Sequence, residues 1–88
     1  MPVDILLFGQ LKELFHQQKL QVTLPKEVVT VAELRQIIVD NLSHEQQTLA
    51  STLAAGKTFI ALNQRVAQEA DTLTAQDEIA LFPPVTGG

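Results

Sequence analysis

Asp77-Glu78-Ile79-Ala80-Leu81-Phe82-Pro83-Pro84-Val85-Thr86-Gly87-Gly88 closes the chain, and the rest of the sequence is read from it. Glu78 to Phe82 has the composition of a strand. Pro83 and Pro84 lack an N–H and hold φ near −65°, so the strand stops there and the chain leaves as a stiff, extended arm. Val85 and Thr86 favour extended backbone, and Gly87 and Gly88, without a Cβ, can pass through a channel too tight for any other residue. The arm ends in an α-carboxylate, its only reactive group, which is ionised at neutral pH because its ordinary pKa is roughly 3.3–3.7. Residues 1–82 therefore read as a domain and 83–88 as a flexible Gly-Gly tail that it presents, mobile when free and ordered by a partner.

Upstream, the pattern alternates between strand and helix. Val3 to Phe8 is short and almost wholly apolar between Pro2 and Gly9, which predicts a central strand covered on both faces. Leu11, Leu14 and Phe15 recur at helical spacing from Gln10 to about Gln18. Leu20, Val22 and Leu24 alternate with polar residues up to Pro25, the mark of a half-buried strand. Thr30-Val31-Ala32-Glu33 is a capping box, because the Thr30 hydroxyl can accept from the Glu33 amide while the Glu33 carboxylate reaches back. It opens a helix whose stripe is Leu34, Ile37, Ile38 and Leu42. Ser43-His44-Glu45-Gln46 repeats the box, and Gln46, Leu49, Ala50, Leu53 and Ala54 continue with helical period to Gly56, a natural residue just past a helix end. Phe59 to Leu62 and Arg65 to Ala67 flank Asn63-Gln64 as a hairpin. Leu73 leads through Thr74-Ala75-Gln76-Asp77, a turn, into the final strand. The pattern by itself defines an α+β domain.

Composition narrows the function. Eighty-eight residues with 45% hydrophobic content and mean hydropathy +0.13 make one globular domain, large enough for a small core but not for a deep enclosed active site. No apolar run approaches the roughly 18 residues of a membrane span, and the N-terminus carries no export signal, so a cytoplasmic protein is expected. A net charge of −4 with Lys and Arg scattered singly argues against nucleic acid and for a protein partner. With no cysteine in the chain, any sulfur it carries cannot sit on a thiol of its own, which leaves the C-terminal carboxyl. His16 and His44 read as solvated surface groups rather than metal ligands.

The closing run closely resembles the end of the molybdopterin synthase small subunit, among the ubiquitin-like sulfur-carrier proteins. Ala61-Leu62-Asn63-Gln64 resembles that family's hairpin, and Leu6-Leu7-Phe8-Gly9-Gln10-Leu11-Lys12-Glu13-Leu14 resembles its first strand and helix start. Gln76 departs from the family, which usually has Gly before the acidic pair. The resemblance implies a β-grasp fold: a mixed sheet of about five strands packed against two to three helices, with the last strand beside the first and an extended tail. It also implies chemistry. A carboxylate is a poor acyl donor, so Gly88 would first be adenylated by a separate ubiquitin-activating-like adenylyltransferase that uses ATP, since the sequence has no nucleotide-binding signature and binds no cofactor of its own. A sulfur donor protein would then displace AMP and leave a thiocarboxylate. Non-catalytic alone, this chain would be the sulfur-donating small subunit of a heterotetramer, its tail inserted into the large, catalytic subunit to form the dithiolene on a cyclic pterin precursor. Five residues from Pro84 to Gly88, extended, reach about 17 Å, enough to enter a neighbour's pocket. Three alternatives stay open: a thiamine-pathway sulfur carrier, whose relatives are usually shorter and lack the Phe-Pro-Pro approach; a ubiquitin-like modifier joined through Gly88 to lysines; and a β-grasp module whose tail is inert.

Strand alternation assigns the docking surface. If Val3, Ile5, Leu7, Ile79 and Leu81 face the helices, Asp4 is spared an unpaired burial that would cost several kcal/mol. Leu6, Phe8 and Phe82 are then left on the outer face, joined by Val66 from the hairpin. An exposed apolar patch of that kind marks a protein interface, and the activating enzyme and the large subunit are expected to grip it in turn.

Overall fold

The computed structural model describes residues 1–53 and 57–83, the side chains of Glu45, Thr48, Leu49 and Thr52 excepted. Chain order is β1 (Pro2–Leu7), α1 (Gln10–Phe15), β2 (Lys19–Thr23), β3 (Val29–Thr30), α2 (Val31–Asp40), a 3₁₀-helix (His44–Leu53), β4 (Phe59–Leu62), β5 (Arg65–Val66), β6 (Thr72–Leu73) and β7 (Ile79–Phe82). Five strands form a mixed sheet in the order β2-β1-β7-β4-β5, and β3 pairs with β6 in a separate two-stranded ladder. The last strand lies parallel to the first, Ile5 opposite Ile79 and Leu7 opposite Leu81, with antiparallel neighbours on either side. This is the β-grasp arrangement, with two α-helices on one face.

β1 is an interior strand, but the middle of the sheet is β7. The burial of β1 alternates residue by residue, so β1 is covered on one face rather than two. Val3, Ile5 and Leu7 are buried with Ile79 and Leu81, against Leu11 and Phe15 of α1 and Val31, Leu34 and Ile38 of α2. Asp4 stays on the open face, its carboxylate 3.6 Å from Lys19 of β2. Leu20 and Val22 of the edge strand β2, and Leu24 just past its end, are buried as their alternation predicts.

α2 starts at the expected box: the Glu33 amide donates to Thr30 Oγ1 at 3.1 Å and the Thr30 amide to Glu33 Oε1 at 3.0 Å. α1 is shorter than its spacing predicts, because His16 takes the left-handed conformation (φ 56°, ψ 33°) one residue past Phe15. Both histidines are exposed. The segment after α2 is a 3₁₀-helix, where the sequence reads as an α-helix; apolar residues three and four apart fit either period. Of its expected opening box one arm forms, the Ser43 amide donating to Gln46 Oε1 at 3.2 Å. Leu53 is buried and Ala50 half-buried, while the Leu49 side chain, Ala54 and Gly56 lie outside the described residues.

The hairpin turn has φ 53° at Asn63 and 70° at Gln64, the left-handed pair that matches the twist of a two-residue hairpin. Asn63 also ties this turn to the one before β7. Its Nδ2 donates to Asp77 Oδ1 at 2.9 Å, its Oδ1 accepts from the Glu78 amide at 3.0 Å, and its own amide donates to the Glu78 carbonyl at 2.8 Å. Gln76 needs no glycine: its φ is not positive, and its amide donates to Thr74 Oγ1 at 3.3 Å.

Candidate functional site

The open face of the sheet is built from two cross-strand rows. In the first, Leu6 of β1 stands opposite Ala80 of β7, Ala80 opposite Ala61 of β4, and Ala61 opposite Val66 of β5. In the second, Phe82 pairs with Phe59 of β4, and Phe8 lies on the other side, its amide donating to the Leu81 carbonyl at 3.1 Å. Large side chains thus stand around two alanines. The result is an open concavity of about 400 Å³ lined by Leu6, Phe8, Ala61, Gln64, Val66, Glu78, Ala80 and Phe82.

Leu6 (38% exposed), Phe8 (39%), Phe59 (37%) and Val66 (70%) are left in solvent on this face. Phe82 is half-buried there, not turned toward the helices, and its ring stacks on that of Phe8 with centroids 4.6 Å apart and 10° between planes. All four residues expected on the outer face are therefore brought together. Phe59 and Ala61 complete the surface, and the sequence reading singles out neither; Ala80 lies beside Phe82 on the face that strand alternation gives both. The period-2 spacing of alanine in Phe59-Ile60-Ala61-Leu62 and Ile79-Ala80-Leu81-Phe82 is the signal that could have found the floor.

Directly after this face comes Pro83. Gly9, at φ 60° and ψ −138° in a region that favours glycine, joins β1 to α1 and backs onto Pro83; a Cβ at Gly9 would come within 2.9 Å of Pro83 Cγ. Phe8-Gly9 and Phe82-Pro83 are thus packed side by side. Pro84, Val85, Thr86, Gly87 and Gly88, which the sequence reading makes the inserted tail and its reacting end, lie outside the described residues.

Electrostatics at the edges of the face are local. The Asp77 carboxyl is held below its ordinary range, first by the hydrogen bond from the Asn63 side chain and then by the Thr74 amide, which donates to Oδ2 at 2.8 Å. Glu33, at the start of α2, is lowered by the Thr30 amide and by Lys26, whose Nζ is 3.1 Å away. Among the described residues no group of three or more His, Cys, Asp or Glu side chains is gathered for a metal ion, and no helix is long and apolar enough to cross a membrane.

A β-grasp sheet with helices on one face and an apolar patch on the other defines a ubiquitin-like domain. The chain belongs to the ThiS family, whose model matches residues 5–88. It is 35% identical over 86 residues to the molybdopterin synthase sulfur carrier subunit of Escherichia coli, covering 98% of this chain and 99% of that one. The corresponding subunit of Haemophilus influenzae is 33% identical over the same share of each chain. Among solved structures, small archaeal modifier protein 1 of Haloferax volcanii superposes with a TM-score of 0.74 at 23% identity, covering 96% of this chain and 98% of that one, a likeness of fold. A protein–protein complex of subunits 1 and 2 of the molybdopterin-converting factor of Helicobacter pylori contains a chain that matches with a TM-score of 0.59 at 28% identity, each chain fully covered.

Proposed function

We propose that this chain is the sulfur-carrier subunit of a molybdopterin synthase and acts in the cytoplasm. The observation that carries the reading is the near full-length match to proteins of that name, on a chain whose sequence closes with Pro-Pro-Val-Thr-Gly-Gly. The Gly88 carboxylate attacks the α-phosphorus of ATP in a separate activating enzyme, releasing pyrophosphate and forming an acyl adenylate. Sulfide delivered by a sulfur donor protein then attacks the acyl carbon, its proton is lost to solvent, AMP leaves, and a thiocarboxylate remains at Gly88. In the large subunit of the synthase the thiocarboxylate sulfur is the nucleophile toward the cyclic pterin precursor, and the acid, base and substrate pocket belong to that subunit.

The outer face suits both handovers. Leu6, Phe8, Phe59, Val66 and Phe82 offer an apolar surface with a concave floor, and a partner that covers it receives the arm from its edge. Because one tail cannot enter two active sites, the activating enzyme and the large subunit bind this face in turn. The solved complex of subunits 1 and 2 of the Helicobacter pylori factor supports a large-subunit partner.

The test is reconstitution. The chain, charged by an activating enzyme with ATP and a sulfide source, is mixed with the large subunit and the cyclic precursor, and dithiolene formation is followed. Product should require prior charging and should be lost when Gly88 is deleted; product from the uncharged chain would overturn the reading.

A further inference from the structure

Arg35 is the one charged side chain among the described residues that is buried, at 8% exposure, and it lies on α2 across the sheet from the docking face. Its guanidinium is almost fully used. Nε donates to both carboxylate oxygens of Glu69 at 2.9 Å, Nη1 to the Leu53 carbonyl at 3.0 Å and to Thr58 Oγ1 at 2.6 Å, and Nη2 to the Thr58 carbonyl at 2.7 Å. Two of these partners lie on Thr58, the residue that precedes β4 and is itself buried.

Arg35 meets Thr58 on the edge of β4 that faces β5. β5 is two residues long, and its support of β4 ends where the Ala67 amide donates to the Ile60 carbonyl at 2.8 Å. The Thr58 carbonyl lies beyond that support. Arg35 thus fastens the residue before β4 from the inner side of the sheet, and the next residue, Phe59, stands on the outer face opposite Phe82.

We propose that Arg35 is a positioning residue for docking: by fixing Thr58 from the inner side of the sheet, it holds Phe59 and the strand beside the tail root in the arrangement the partner grips. This rests on the reading that the outer face receives the large subunit. A planar fork of donors on a rigid helix sets the position of two acceptors at once, which a lysine ammonium does not reproduce.

The experiment measures the dissociation constant of the full chain for the large subunit of molybdopterin synthase by titration calorimetry, with folding verified by amide NMR. Arg35→Met should weaken the complex about tenfold, and its effect should be non-additive with that of Phe59→Ala in a double-mutant cycle, as expected of two residues acting as one unit. A merely structural role would leave the affinity of the folded chain unmoved, or would add. Where Arg35→Met does not fold, Thr58→Val, which removes one acceptor, carries the test: it should weaken binding while Thr58→Ser retains it. Normal affinity in both Arg35→Met and Thr58→Val, or strict additivity with Phe59→Ala, alongside weakened binding by Phe82→Asp, overturns the inference and leaves the docking face standing. Unchanged affinity in Phe82→Asp as well overturns the docking face and the inference together.

Discussion

Phe8 and Phe82, at the ends of the two parallel strands β1 and β7, stack ring on ring at 4.6 Å on the side of the sheet that carries no helix. Both helices lie on the opposite face, so the pair supports little of the core while standing beside Pro83, where the arm begins. A soluble domain has no need of three phenylalanines in such a place unless another protein covers them.

Replacing Phe82 by Asp should therefore separate binding from stability. The stacked pair contributes about 0.5–1.5 kcal/mol beyond burial, and the domain should lose no more than about 2 kcal/mol. Affinity for the large subunit and for the activating enzyme should each fall at least about tenfold, as for a residue at the centre of an interface. Parallel calorimetry of both complexes and a urea titration check this; normal affinity for either partner contradicts the shared face.

The hairpin turn should respond in opposite directions at its two residues. Asn63→Ala removes the two side-chain bonds that hold Asp77 and Glu78 and leaves a non-Asn residue at φ 53°, which should cost about 1–3 kcal/mol. Gln64→Gly relieves a side chain at φ 70° and should stabilise by about 0.5–1 kcal/mol. Equilibrium urea unfolding of the two variants decides both signs.

Acid should weaken the same junction. The folded Asp77 pKa lies below its ordinary value of 3.8 because Asn63 and Thr74 bond the charged form, so the unfolded chain binds the proton more readily. Its stabilising contribution is complete above the ordinary carboxylate range and is lost as pH falls through the lower, folded value; Glu33, also lowered, acts in the same direction. The difference in unfolding free energy between pH 6 and pH 3 should be smaller in Asp77→Asn than in the parent chain. An equal or larger difference removes Asp77 from the account.

Much of this was legible because period-2 and helical patterns act locally. Asp4 among Val3, Ile5 and Leu7 decides which face of β1 is open, and the Thr30-to-Glu33 spacing states its own hydrogen bonds. What was not legible depends on distant pairing. Arg35 sits between Leu34 and Ile38 as an ordinary helix charge, and its burial follows from partners 18, 23 and 34 residues away. Phe59 reads in the sequence only as part of a strand, and its place beside Phe82 follows from register. The two-residue ladder of Val29 and Thr30 with Thr72 and Leu73 is too short to leave a pattern. The 3₁₀ form of His44–Leu53 is hidden because spacings of three and four serve both helix types.

The two closing glycines should have separable roles. Deleting Gly88 or replacing Gly87 with Val should abolish adenylation, measured as ATP–pyrophosphate exchange with the activating enzyme, because the reacting carboxyl is misplaced or a Cβ blocks a narrow channel. Neither change removes a core residue, so unfolding midpoints should match the parent chain. Full exchange by the Gly88 deletion contradicts the role assigned to that carboxyl.

The central claim is that this chain carries sulfur on its last residue, and the intact mass of the protein isolated from its own cells tests it most directly. The account predicts a population heavier than the parent by one oxygen-for-sulfur replacement, localised by fragmentation to Gly88 and lost on treatment with the large subunit and cyclic precursor. A C-terminus found only as the carboxylate in cells actively making the cofactor, or found joined to lysines of other proteins, would contradict it.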